Sequence, residues 1–323
     1  MKRRCFITLL GGAALALGVP PEAWPQEAGR AYRLGVLVQS PRSAAHWIAF
    51  FDEFAKLGFV EGRNLTIADG FNTSRDGAER RASEIVEAHP DAIVTAGTYT
   101  VLLQRATKTI PILTVMDDVL AGGAVASLAH PGGNTTGISI FAPELDGKRQ
   151  EVLLEAVPRT RHLALLADPT VTRPPQLKAL EDSAKARGIA VSTHLAVNTN
   201  EVMPALEAAV AAEARALNVL ASPLFNRYRA EIIERTAALR LPAIYQWPEM
   251  AEEGGLIAYG PRFTALYRQQ ALQTAKVLWG TSPAEIPVEQ PTKFELVINL
   301  RAAKAMGIEI PATVLARADE VIE

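Results

Sequence analysis

Cysteine is nearly missing from this chain. Of 323 residues only Cys5 is a cysteine, and it lies a few positions from the start. Past that point the chain can form no disulfide and offers no thiol nucleophile or thiolate metal ligand. Histidine is sparse as well: His46, His89, His130, His162 and His194 are scattered, with no pair one helical turn apart. That spacing argues against a zinc site, and neither a metal nor a cofactor is expected. An excess of positive charge is lacking too. Lys and Arg number 33 against 35 Asp and Glu, a formal charge of −2. Nucleic-acid binders usually carry a basic patch, so no nucleic-acid partner is expected. After the N-terminal segment no stretch reaches the roughly 18 consecutive apolar residues of a membrane span.

The common catalytic signatures are also absent. Gly147-Lys148 is followed by Arg149 and has no glycine at phosphate-loop spacing before it. No G-x-G-x-x-G follows any strand-like run. "GISIF", residues 137–141, begins like a nucleophile elbow but closes on Phe141 instead of glycine. Asp117 and Asp118 are adjacent, and neighbours on a strand face opposite ways, so they make a poor acid/base couple. These absences argue against an enzyme.

The first 30 residues stand apart from the rest. Lys2, Arg3 and Arg4 precede an apolar run from Phe6 to Val19. That run is short for a membrane span and has the form of an export signal. The Arg3-Arg4 pair followed by Phe6-Ile7 resembles a twin-arginine signal, and a general secretory signal reads equally well. Cys5 precedes the apolar run instead of following it, which argues against a lipid anchor. The expected product is a soluble periplasmic protein.

From Ala31 onward, apolar runs of strand length alternate with helical patterns. The strand-like runs are residues 32–40, 64–71, 91–97 and 110–118 in the first half. They are 162–169, 189–197, 216–223 and 241–247 in the second, with a short one between the glycines of 252–261. A long helix over about 263–279 and a tail over 291–307 finish the chain. Residues 122–139 are rich in glycine, and the glycines of 122–137 read as a turn, not a phosphate cradle. Buried apolar strands alternating with helices indicate a parallel sheet covered on both faces. The two halves repeat the same order of elements without repeating residues. The fold class is therefore α/β, with two doubly wound parallel-sheet lobes. In such sheets ligands sit outside the carboxyl ends of the strands.

The strand ends carry the candidate ligand-binding residues. They are Gln39, Ser40, Gly97, Thr98 and Asp117 in the first half, and Asp168, Ser222 and Tyr245 in the second. An Asp can pair with an ammonium group, and a helix N-terminus can receive a carboxylate. Tyr99, Phe141, Phe225, Tyr245 and Trp247 are available as aromatic walls. Each has a plainer reading. Thr98 and Ser222 can cap helices, Asp168-Pro169 can be a turn, and Tyr245 and Trp247 can be core. Arg80-Arg81 and Arg227-Tyr228-Arg229 read as solvated helix faces.

Several longer stretches carry a family resemblance. They include "LGFVEGRNLTI", "PDAIVTAG", "SLAHPGGNTTGI", "GGLIAYGP", "PTKFELVINLRAAKAMGIEIP" and "VLARADEVIE". Together they resemble ABC-transporter substrate-binding proteins of the tryptophan/tyrosine-uptake type, over nearly the whole chain. The resemblance implies a type I periplasmic-binding fold: two Rossmann-like lobes joined by a three-strand hinge, with a ligand clamped between them. It implies lobes of 31–141 plus 261–284 and of 142–260 plus 285–323. The family's cleft positions fall on the same eight strand-end residues. Many relatives carry Asn where Asp168 stands, and a short polar linker in place of "QSPRSAAHW", so the ligand itself does not carry over. The expectation is a monomeric receptor for an amino-acid-like or aromatic carboxylate, docking on a membrane ABC permease. The alternative is an exported sensing component acting on a membrane sensor partner.

Overall fold

The computed structural model describes residues 29–140 and 142–323. Residues 1–28, which hold nearly all of the expected export signal, and Phe141 lie outside the described residues. The first half runs β1 (Tyr32–Leu37), α1 (Ala45–Lys56), β2 (Leu65–Ala68), α2 (Ala78–Glu87), β3 (Ala92–Ala96), α3 (Tyr99–Ala106), β4 (Ile112–Met116) and β5 (Thr135–Ser139). The second half runs α4 (Ala142–Ala156), β6 (His162–Ala167), α5 (Pro174–Ala186), β7 (Ala190–Leu195), α6 (Thr199–Ala211), β8 (Ala216–Val219), α7 (Pro223–Arg227), α8 (Arg229–Ala238), β9 (Ala243–Tyr245), α9 (Pro248–Glu252) and β10 (Ile257–Gly260). The chain closes with α10 (Phe263–Leu278), a 3-10 turn, β11 (Glu295–Asn299), α11 (Leu300–Met306), α12 (Ala312–Leu315) and β12 (Glu320–Ile322).

Two sheets result. The first is parallel, in the order β2-β1-β3-β4-β5. The second has the order β12-β11-β10-β9-β8-β6-β7 and is parallel except where β10 meets β11. Five strands of the second sheet, β7-β6-β8-β9-β10, repeat the winding of the first. The two-lobed doubly wound α/β architecture expected from the alternating pattern is therefore present. The central strands are buried on both faces, which is why they read as continuous apolar runs.

Three differences from the sequence reading have physical causes. Residues 135–139 of the glycine-rich stretch form β5, not a turn. Gly137 sits there at φ +149°, and a Cβ would lie 2.0 Å from the Thr114 carbonyl oxygen. That glycine, a loop signal in sequence, is what lets β5 approach β4 so closely. The helical pattern over 226–240 divides into α7 and α8, with Tyr228 between them. Pro248 at the first helical position starts α9, which sequence periodicity did not register.

The chain passes between the sheets three times: from β5 into α4, from β10 into α10, and from the 3-10 turn into β11. Helix α10 packs along α1. Trp47, Phe50 and Phe54 of α1, spaced three and four apart, are fully buried, as a helix presenting one apolar stripe requires. Gln270 of α10 donates to the Thr95 and Leu113 carbonyls, and Gln273 donates to that of Gly137. The long helix is thereby fastened to the first sheet although it follows the last strand of the second half. At the third passage, Glu289 exchanges backbone hydrogen bonds with β5, bridging to Ile138. No helix among the described residues is long and apolar enough to cross a membrane.

Candidate ligand-binding cleft

The carboxyl ends of the strands of both sheets open onto a common cleft. It has two chambers. The larger, about 550 Å³, lies between the α3 wall and the β6–α5 loop, residues 169–174. The smaller, about 50 Å³, is lined by Ser40, His46, Gln246, Trp247, Phe263 and Tyr267 among others. Gly97 and Asp117 line both, so they stand at the passage between them.

Gly97 has φ +58°, and a Cβ there would come within 3.0 Å of Pro223 Cγ on the opposite wall. Glycine is suited to this place by its backbone conformation and by the near contact between walls. Thr98 occupies the cap position of α3 but makes no side-chain cap bond, so the capping reading does not hold and its side chain lines the larger chamber. Asp117 makes no side-chain hydrogen bond among the described residues. Burial first, and then the charge of Asp146, push its carboxyl up to about 7.

Asp146 sits on α4, fully buried, where it pairs with Arg149 and Gln176. Burial raises its carboxyl too, against the opposing pull of Arg149. Gln176 also lines the larger chamber, so this buried pair supports that chamber from beneath.

The second-half candidates are placed differently from the sequence expectation. Asp168 is fully buried and lines neither chamber. Its Oδ2 accepts from Arg75 Nη2 at 2.6 Å and from the Ser222 hydroxyl at 2.7 Å. Its Oδ1 accepts from the Thr170 amide at 3.0 Å and hydroxyl at 2.6 Å. The carboxylate is saturated. Ser222 caps α7, accepting from the Leu224 amide at 3.0 Å, and reaches only the edge of the smaller chamber. Tyr245 points into the core: it is 1% exposed, and its hydroxyl is 2.7 Å from the Thr236 hydroxyl. The next two residues, Gln246 and Trp247, line the smaller chamber instead. Gln246 Oε1 and Trp247 Nε1 are buried there without hydrogen-bond partners. Tyr99 lines the larger chamber, with its hydroxyl donated to the Thr73 carbonyl, whereas Phe225 is core.

On the first-half wall, Ser40 Oγ accepts from Trp47 Nε1 at 2.8 Å and lies 3.0 Å from His46 Nε2. His46 sits against Phe263 and Tyr267, with ring centroids 4.6 and 4.4 Å away. Burial, with the Arg229 charge behind it, pushes His46 down to about 3, so the ring is neutral. Gln39 also lines the smaller chamber.

Sequence reasoning missed two arginines. Arg75, in the loop before α2, reaches across the cleft to Asp168 and to the Val197 carbonyl at 2.8 Å. Arg227, read as part of a solvated helix face, donates to the Gln39 carbonyl at 2.7 Å from the other side. Each wall thus sends one guanidinium to the other. No sequence pattern marks either residue, because their partners lie 93 and 188 positions away.

The groups lining this cleft are suited to non-covalent contacts. It offers one unpartnered carboxyl, helix N-termini, an aromatic chamber and groups that hold two walls together. Among the described residues no three His, Cys, Asp or Glu side chains are grouped as a metal site.

Comparison with known proteins agrees with this geometry. Residues 36–322 match the ABC transporter substrate binding protein family, and the chain belongs to it. A tyrosine-binding protein of Clostridioides difficile (strain R20291) is 26% identical over 281 residues, covering 84% of this chain and 79% of that protein. A conserved domain protein of Vibrio cholerae superposes with a TM-score of 0.80 at 26% identity, covering 90% of this chain and 99% of that one. A Streptococcus pneumoniae ABC domain solved with L-Trp has the same fold, with a TM-score of 0.77 at 23% identity and coverage of 90% and 99%. The family is one of solute-binding proteins.

Proposed function

We propose that this protein is a periplasmic receptor that clamps an amino-acid-like or aromatic carboxylate between its lobes and delivers it to an ABC permease. The observation that carries this is Asp117: a carboxyl without a partner, at the junction of two chambers, raised to about 7 and facing space for a ligand. An ammonium group would ionise and pair it. The carboxylate of the same ligand would meet the free amides at the start of α3, beside Gly97 and Thr98. The names of the relatives, a tyrosine-binding protein and a domain solved with L-Trp, support the same ligand chemistry.

No bond need be made or broken. The lobes, 31–141 plus 261–284 and 142–260 plus 285–323, would rotate about the three passages. A ligand touching both walls favours the closed form by its differential affinity for it. The Arg75–Asp168 and Arg227–Gln39 contacts would form as the walls meet. The N-terminal segment would direct export, and the closed monomer would be the form that docks on the permease.

The test is a thermal-shift screen of the purified protein, unfolded and refolded to strip bound ligand. The panel holds amino acids, aromatic acids, short carboxylates and sugars. A ligand at a hundred times its Kd stabilises by about 2.7 kcal/mol. At roughly 2–4 °C per kcal/mol, the midpoint should rise by several degrees. A response to sugars alone would overturn the amino-acid assignment. Turnover of a panel compound would overturn the receptor.

A further inference from the structure

The larger chamber is graded along its length. At its inner end are Thr98, Asp117 and the start of α3. Further along α3, Val101 and Leu102 line it, facing Pro169 and Val171 of the opposite wall. Arg105, further along α3, and Arg173, immediately before α5, line it as well. Both are exposed, and neither makes an ion pair or side-chain hydrogen bond among the described residues. Arg42 and Arg229, elsewhere on the molecule, pair with Glu61 and Glu253. Arg105 and Arg173 come from opposite walls and face the same space.

Two like charges brought to one chamber by closure repel each other, and that repulsion disfavours the closed form. A negative group between them reverses the sign and adds contacts that exist only when the walls meet. A second observation points the same way. Thr172 Oγ1, on the loop beside Arg173, is buried without a partner in a residue 4% exposed that lines the chamber. Arg75 Nε, in the same lining, is buried without a partner as well. The lining therefore holds two spare donors, one on each wall and one of them beside Arg173.

Resting on the receptor function above, we infer that the ligand carries a second anionic group, a carboxylate or phosphate distal to its amino-acid end, held between Arg105 and Arg173. Its middle is apolar, matching Val101, Leu102, Pro169 and Val171. Tyr99 and Arg105 are six residues apart on one helix, a rise of about 9 Å. The distal acid therefore lies about one aromatic amino-acid length from the inner anchor.

The test is isothermal titration of the refolded protein with three matched probes: L-tyrosine, 4-carboxy-L-phenylalanine and O-phospho-L-tyrosine. All carry the same zwitterion and ring and differ only at the far end. At least one acid-bearing probe is expected to bind tenfold or more tighter than tyrosine, with the advantage shrinking as salt is raised. Which of the two acids wins tells carboxylate from phosphate. R105Q and R173Q should each reduce the preference for that acid over tyrosine by fivefold or more, and R105K should restore part of it. A purely structural role would weaken all three probes together and leave the ratio unchanged. Tyrosine binding as tightly as both acids, or an unchanged ratio in both variants, would overturn the inference and leave the receptor function standing. No binding by any probe, together with a silent thermal-shift panel, would overturn both.

Discussion

The two walls of the cleft each carry an aspartate just past a strand end, and the two behave in opposite ways. Asp117, after β4, has no hydrogen-bond partner and a carboxyl raised to about 7. Asp168, after β6, accepts four hydrogen bonds, one of them from the arginine that crosses the cleft. In sequence both are carboxylates following apolar runs. The difference lies in what surrounds them. A buried carboxyl left without partners is costly and gains from any cationic ligand, whereas a saturated one has nothing further to accept. On the proposed function, Asp117 would hold the ligand and Asp168 would hold the walls together.

Four experiments would break or sharpen this contrast. The largest effect is expected at Asp117. D117N should weaken an ammonium-bearing ligand by about 2–5 kcal/mol, more than thirtyfold, in titration calorimetry. The melting temperature of the empty protein should not fall, because a carboxyl short of partners is being removed. If D117N binds as the wild type does, the assignment of the ammonium to this residue is wrong.

D168A should do the reverse. It leaves Arg75 and Ser222 facing an emptied site and should cost about 3 kcal/mol of stability, read as a lowered melting temperature. D168N, which retains one acceptor oxygen for either Thr170 or Ser222, should cost less. Small-angle scattering of D168A should show a larger radius of gyration as the walls part. An unchanged radius would mean that the Arg75 contact does not hold the lobes.

The pH dependence follows from Asp117 with a definite sign. Its folded-state value lies above the ordinary carboxyl value of 3.8. Between about pH 4 and 7 the folded protein therefore binds a proton that the unfolded chain has lost. This residue's contribution to stability accordingly falls as pH rises through that window. D117N should flatten that slope. Ligand affinity runs the other way, since pairing with ammonium needs the ionised form. Affinity should rise by about tenfold from pH 6 to pH 8, and a flat profile would count against the ion pair.

The smallest effect is expected at Arg227, which donates to a backbone carbonyl from a partly exposed position. R227A should cost about 1 kcal/mol, mainly as faster ligand release, with the order of preference among ligands kept. A change in that order would place Arg227 among the ligand contacts.

Much of the fold was legible from periodicity. Continuous apolar runs marked the central strands, and prolines and glycines marked most helix ends. β5 was not, because Gly137 serves a close approach between strands while reading as a turn. Of the strand-end residues, Gly97, Thr98 and Asp117 do line the larger chamber. Tyr245 does not: alternation along a strand shows which residues share a face, not which face meets the cleft. His46 was passed over because a lone histidine carries no spacing signal, and its position among Phe263 and Tyr267 depends on a helix more than two hundred residues away.

The sequence by itself determined the class of the molecule: two wound α/β lobes, a long receptor-like alternation, no thiol chemistry past Cys5, and strand ends rich in small and polar residues. These properties are local, set by side-chain alternation, helix period and composition. The tertiary structure alone decided which aspartate is free and which is saturated, that Arg75 and Arg227 cross the cleft in opposite directions, and that Arg105 and Arg173 face one chamber. Those outcomes depend on pairs brought together from distant parts of the chain, where no local pattern records the partner.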